Sequence, residues 1–290
     1  MSPKFDAATR RDAASVAAIC LSAFVVALAY GLALPLLPTL LERHLADSAR
    51  VPLHAGLLTA AYTLPLALFA PLIGNFADRH SRKPVLLAGL AGFAIATALF
   101  GIVDSLVAMY AGRLLSGLFA AAVVPVGFAL ASDWFPGDEA RARVFAWING
   151  AAIVGAVAGP AIGGLVGAMW RRDMPPSGAP FLLVATLAVL VGVYTIAAWP
   201  SEKGRRPRAT PAGAAGWSIN LAGLLLLSAI TALALGIFEV GLALRAERIL
   251  RLGPQQTGLM FAECMVVMFA AQLLAFNPWT PARRSRWFFA

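Results

Sequence analysis

The stretch GNFADRHSRKPVLL, Gly74–Leu87, decides how this chain folds. Before it, Val51–Ala77 runs without one Asp, Glu, Lys or Arg, and after it Pro84–Val103 does the same. A helix crosses roughly 30 Å of hydrocarbon with about 20 predominantly apolar residues. Two membrane spans are therefore joined here by a short charged turn. Arg79, Arg82 and Lys83 suit a cytoplasmic link, while Asp78 runs against a purely basic one. Asp78 can cap a neighbouring helix or pair with these bases, a contact that exists in only one arrangement of a helix bundle.

Working outward, Ala13–Leu41, Val144–Trp170, Met174–Ser201 and Ala209–Phe238 are also free of charge. Ser105–Ser132 and Leu252–Ala282 join them if one internal charge is allowed in each, Arg113 and Glu263. The pattern predicts eight spans. Continuous apolar runs favour helices over barrel strands, which alternate over about 10 residues. The first run is longer than the about 7–15 residues of a signal-peptide core, so it reads as a retained span.

Composition agrees. The chain has 290 residues, 60% of them hydrophobic and 13% charged, with a mean hydropathy of +0.79. Soluble domains run about 45–50% apolar and about 25% charged, so a soluble enzyme of ordinary make and a disordered chain are both excluded. The net charge of +9 does not call for nucleic acid, because the basic residues cluster in the links between spans. Lys and Arg favour the links on the same side as the N-terminus, which puts the N-terminus in the cytoplasm, and the Ala- and Arg-rich composition suits a bacterial inner membrane. Cys20 and Cys264 sit inside apolar runs and read as small core residues. His44, His54 and His80 are scattered, so no metal cluster is expected, and no G-x-x-x-x-G-K-[ST] sequence offers an ATP site.

The longest break, Ser201–Gly216, is basic and rich in Gly, Pro and Ala. It divides the chain into a six-span half (1–200), a cytoplasmic linker (201–216) and a partial second half of two spans (217–290). A shift of 202 residues lays Thr257–Ala290 on Ala55–Ala88, pairing Gly56 with Gly258, Asn75 with Asn277 and Arg82 with Arg284. On this reading the second half stops at Ala290, where a ninth span would begin, and the chain looks cut short.

The quoted loop closely resembles the signature of the major facilitator superfamily, G-x-L/F-A-D-R-x-G-R-K. Gly74, Asp78, Arg79, Arg82 and Lys83 match, and Ser81 stands where the family has glycine. The resemblance makes these residues a cytoplasmic gate, with Asp133 of the D-x-x-P loop as its second acid. Arg113-Leu-Leu-Ser-Gly117 resembles the family's fourth-helix R-x-x-x-G motif, associated with proton coupling. A structural pair or snorkelling is the other reading of that arginine. In Gly155–Gly164, Gly155, Gly159 and Gly163 share a helix face and Pro160 interrupts the backbone hydrogen bonds. With Gly164 they match the fifth-helix motif of drug:proton antiporters, although helix packing alone would also use such a stripe.

Two acids remain as proton-coupling candidates besides Arg113. Glu263 lies inside the eighth span, where an ionisable group is a functional candidate by default, and it is the first choice for the proton site, with Arg113 tuning it. Glu239 is placed near the outer end of the seventh, where headgroups would also accommodate it. Tyr30, Tyr62, Trp147 and Asn149 are cavity candidates, as is Tyr194.

The resemblance implies an all-α polytopic membrane protein with a major-facilitator-type bundle, not an enzyme, and without cofactors. It implies proton-coupled export of small lipophilic molecules by alternating access, with a small-molecule substrate, protons and membrane lipid as partners. A nutrient or metabolite symporter or uniporter of the same superfamily, and a truncated fragment or membrane interaction protein that does not transport, stand as alternatives.

Overall fold

In lipid a backbone must satisfy its own polar groups, and apolar runs of this length do so as helices. The computed structural model describes residues 3–102, 104–135, 137–169, 178–198 and 219–275, and among them there is no strand. The helices are α1 (Pro3–His44), α2 (Val51–Arg79), α3 (Arg82–Ile102), α4 (Leu106–Ala120), α5 (Val124–Trp134), α6 (Asp138–Met169), α7 (Ala179–Ala198), α8 (Ile219–Arg248) and α9 (Pro254–Ala275). A single 3-10 turn, Ser48–Arg50, leads into α2 and is capped by the Asp47 side chain.

Seven stretches among the described residues are long and apolar enough to cross a membrane. α9 occupies the place of the eighth expected span. The protein is a multi-pass, all-helical membrane protein. The linker 201–216 lies outside the described residues, as do Asn277 and Arg284 of the internal echo.

Two spans differ from the sequence expectation. The fourth span is one crossing, Leu106–Trp134, but is built from two helices. Pro125 has no N–H to offer the carbonyl of Ala121, so the ladder tightens there. Ala122 and Val123 bond back to Phe119 and Ala120 instead, and the helix restarts at Val124.

The seventh span is helical from Ile219 through Arg248, well past Phe238. Ending the span at the first charge placed Glu239 too near its edge. Glu239 lies inside the helix because its carboxylate is sheltered there, only 2% exposed.

The turn between α2 and α3 accounts for the serine in the signature. His80 closes α2 in an extended conformation, with its N–H on the Phe76 carbonyl. Arg251 has the only positive φ of any non-glycine residue described. Ser81 can therefore stand where the resembling family has glycine, since no left-handed residue is required.

Packing follows the small residues. α6 lies along α1 and, on another side, along α9; α3 packs on α4 and α7, and α2 packs on α4. Leu28 and Leu32 of α1, Leu58 of α2, Phe93 of α3 and Ile148 of α6 are fully buried in the resulting core. A second, smaller cluster joins α1, α8 and α9 through Leu34, Ala243 and Phe261. Leu226, Leu227, Ile230, Leu233 and Ile237 stay exposed on α8, an apolar surface suited to lipid rather than water. Cys20 and Cys264 are free and half-buried.

Candidate functional site

At the end of the bundle where α2 closes and α3 opens, Arg82 is the hub. Its Nη2 lies 2.8 Å from Asp78 Oδ1, and its Nη1 lies 2.8 Å from Asp133 Oδ2 at the end of α5. The planar guanidinium fork lets one side chain serve two carboxylates. Lys83 Nζ donates to the Ile196 carbonyl in the last turn of α7, where a cation meets the negative helix end. One short link thus ties α2, α3, α5 and α7. Gly74 has open space where a side chain would begin, and Arg79 is exposed. Among the described residues, Asp138 and Glu139 pair locally, with Arg141 and Arg143 of the same helix.

Polar contacts recur at the opposite end. His44 Nε2 lies 2.6 Å from Asp104 Oδ1, and His54 Nδ1 lies 2.9 Å from Tyr110 Oη. These join the end of α1 and the start of α2 to the α3–α4 link and α4.

Between the two ends lies a buried cluster drawn from four helices. Arg113 of α4 is 6% exposed, its guanidinium 5.8 Å from the Tyr62 ring centre and 4.6 Å from that of Phe100. Nε and Nη2 of Arg113 make no hydrogen bond to the described residues. Aromatic faces hold the charge, an interaction worth about 2 kcal/mol when desolvated. Gly117, one turn on, sits against the backbone of Tyr62. Its missing side chain lets α4 approach α2 closely enough to set Arg113 on the ring, which gives the R-x-x-x-G spacing a physical reason. Ala29, Phe93, Thr97, Ser116 and Phe181 complete a small cavity beside Arg113 with about 10 Å³ of room, about that of one water.

The cluster continues across the bundle. The rings of Tyr62 and Tyr30 stand 5.5 Å apart, and Tyr30 Oη donates to Glu239 Oε2 at 2.5 Å. An arginine on α4 and a carboxylate on α8 are thus linked through two tyrosines.

α6 is the partition beside this cluster. Gly155 lies on the Phe24 carbonyl, Gly159 on Leu28 and Leu32, and Gly163 on Leu32. Pro160 deprives the Ala156 carbonyl of its helical donor, and Gly31 of α1 leaves room for that carbonyl and for the proline ring. Pro160 and Gly164 also receive Gly258 of α9. The glycine motif therefore seats α6 against both α1 and α9.

Comparison with known proteins accounts for this architecture: the profile described as Major Facilitator Superfamily matches residues 19–290. The chain belongs to the Major Facilitator Superfamily. It is similar to the class C tetracycline resistance protein of Escherichia coli, 38% identical over 183 residues, covering 62% of this chain and 43% of that protein. It is also similar to the class G tetracycline resistance protein of Vibrio anguillarum, 37% identical over 161 residues (56% and 39%). Multidrug resistance protein 1 of Bacillus subtilis is 28% identical over 174 residues (60% and 42%). The match spans about two-fifths of the length of these relatives.

Among solved structures, a bacterial homolog of the human lysosomal transporter Spinster, inward-facing and unoccupied, superposes with a TM-score of 0.70 at 17% identity. It covers 93% of this chain and 64% of that one. The human organic anion transporter MFSD10 gives 0.66 at 23% identity, covering 89% and 71%. These likenesses show the fold, while the family match places the chain in a family of transporters rather than enzymes.

Within this superfamily fold the sequence candidates separate. Tyr30, Tyr62, Arg113 and Glu239 come together, as do Asp78, Arg82 and Asp133. Trp147 is 65% exposed on α6 and Asn149 is exposed beside it, so neither joins the buried cluster. Tyr194 is exposed on α7, near the Ala14 carbonyl. Glu263 is exposed on α9. Phe100 was not singled out from the sequence, because an aromatic residue in an apolar span carries no signal of its own. The His44–Asp104 and His54–Tyr110 pairs were likewise legible only as isolated polar residues.

Proposed function

We propose that the protein is a proton-coupled exporter of small lipophilic molecules, working by alternating access in a bacterial inner membrane with its N-terminus in the cytoplasm. The observation that carries this reading is the buried line Arg113–Tyr62–Tyr30–Glu239 at the junction of α1, α2, α4 and α8. A carboxylate inside hydrocarbon is held more cheaply neutral than charged unless it is paired. Glu239 exchanges between the two forms, and Arg113 supplies a fixed positive charge behind the tyrosines. Glu263 is a second carboxylate for the substrate path on the exposed face of α9.

The relatives named for tetracycline and multidrug resistance support drugs of that kind as substrates. The full glycine motif of α6 supports export over nutrient uptake. The Asp78–Arg82–Asp133 network latches the cytoplasmic end. One half rocks against the other, as in other transporters built from repeated halves.

The test is tetracycline movement in membrane vesicles with an imposed pH gradient. Exchange of drug for protons that stops on adding a protonophore, and is lost in Glu239→Gln with membrane insertion intact, is expected. Drug and protons moving in the same direction would replace export with symport. Unchanged coupling in Glu239→Gln would remove Glu239 as the exchanging group, and Glu263→Gln would then be compared.

A further inference from the structure

We propose that Tyr30 is a positioning residue whose hydrogen bond to Glu239 clasps α8 to α1 inside the bundle, keeping the two helices together on the side away from the Arg82 network until Glu239 takes up a proton. This rests on the proton-exchange reading of Glu239 and adds the element that the proton moves.

The bond bridges residues on opposite sides of the linker, in α1 and α8. Around it the junction is apolar. Leu34, Ala243 and Phe261 form one cluster, and Leu37, Ala55, Val240 and Leu244 line a narrow gap beside it. Apolar contacts between helices are exchanged for lipid contacts at little loss, so in hydrocarbon the polar contact decides which arrangement holds.

Tyr30 Oη donates to Glu239 Oε2, and when the carboxylate is ionised this is a charge-assisted bond. Such a bond is about twice as strong as one between neutral partners. Protonation of Glu239 removes the charge and leaves the weaker bond, so the same contact has a tight and a loose state. The tyrosine hydroxyl faces Glu239, Tyr62 and Arg113 electrostatically, from α8, α2 and α4. On α9, which also packs on α8, Glu263 is the exposed acid. Only Glu239 among these both hydrogen-bonds Tyr30 and gains a proton without leaving the contact.

The experiment measures distance rather than transport. Spin labels are placed at Ala46→Cys and Ile249→Cys, exposed positions just past the ends of α1 and α8. The full chain carries Cys20→Ser and Cys264→Ser and is held in phospholipid nanodiscs. Electron–electron resonance distances are compared in mildly alkaline and in acidic buffer. The parent chain is expected to show one short distance in alkaline buffer and at least about a twofold larger long-distance population in acid. Tyr30→Phe, which keeps the ring and loses the hydroxyl, is expected to show the long distance in both. Glu239→Gln is expected to lose the response to acid.

A Tyr30→Phe protein with the parent distances and the parent acid response overturns the clasp. Tetracycline exchange is run on the same variants, so the two readings fail separately. Distances that respond as expected without proton-driven flux support the clasp and remove the exporter. Normal flux with a Tyr30→Phe protein that still responds to acid removes the clasp and leaves the exporter.

Discussion

Arg82, at the start of α3, lies 2.8 Å from Asp133 at the end of α5, and the same guanidinium holds Asp78 of α2 at 2.8 Å. The arginine side chain is 12% exposed, whereas Asp133 and Asp78 are 37% and 58% exposed. The cation is therefore the buried partner and the acids its solvent-facing clamps. This arrangement suits a contact that forms and breaks, since both carboxylates are already near water when they are released.

Arg82→Lys should weaken this end, because a single ammonium cannot serve two carboxylates with the geometry of the fork. The exposure of the acids limits the loss to about 1 kcal/mol. Heating the purified protein and following the folded fraction by size-exclusion fluorescence would show a lower midpoint. A midpoint equal to that of the parent would mean that the second nitrogen of the fork contributes nothing.

Asp78→Asn removes one clamp and leaves Asp133 in place. We expect turnover to fall about fivefold, a shift of about 1 kcal/mol between the two arrangements of the bundle. Tetracycline affinity should stay near the parent value, since Asp78 lies at the end of α2 and away from the buried cluster. Full transport rates would separate this network from gating.

Gly159→Ala and Gly150→Ala make a paired test on one helix. A methyl group at 159 meets the backbone of Leu32 at 2.6 Å and of Leu28 at 2.7 Å, so α1 and α6 must move apart. Overpacking of this kind costs about 1–3 kcal/mol. At 150 nothing lies within 4 Å, and alanine should be neutral or slightly stabilising. Equal thermal stability of the two variants would dismiss close packing as the purpose of the glycine face.

The helical membrane fold was legible because charge-free runs of spanning length permit little else, and the Asp78–Lys83 loop marked the family on sight. The partners inside the membrane were not. Arg113 gave a clear signal as an intramembrane cation, but that aromatic faces rather than a carboxylate receive it depends on how α4 crosses α2. Tyr30 and Glu239 are 209 positions apart, and no local pattern joins them. The break before Val124 was written in Pro125, but a proline near the middle of an apolar run looks the same whether a helix bends or restarts.

Gly117 provides the sharpest separation between the ring and the hydroxyl of Tyr62. Alanine at 117 would press into the Tyr62 carbonyl, pushing α4 from α2 and lifting Arg113 from the ring, so Gly117→Ala should lose stability by about 1–3 kcal/mol. Tyr62→Phe preserves the face on which the guanidinium rests and should stay within about 0.5 kcal/mol of the parent. Tyr62→Leu fills much of the space but offers no negative ring face, and should lose about 2 kcal/mol. Thermal midpoints of the three, measured beside proton-driven tetracycline exchange, distinguish the causes. If Tyr62→Phe fell as far as Tyr62→Leu, the hydroxyl rather than the ring would be the partner of Arg113. If neither fell, Arg113 would be held by Phe100 alone, and the line from α4 to Glu239 would be broken at its second member.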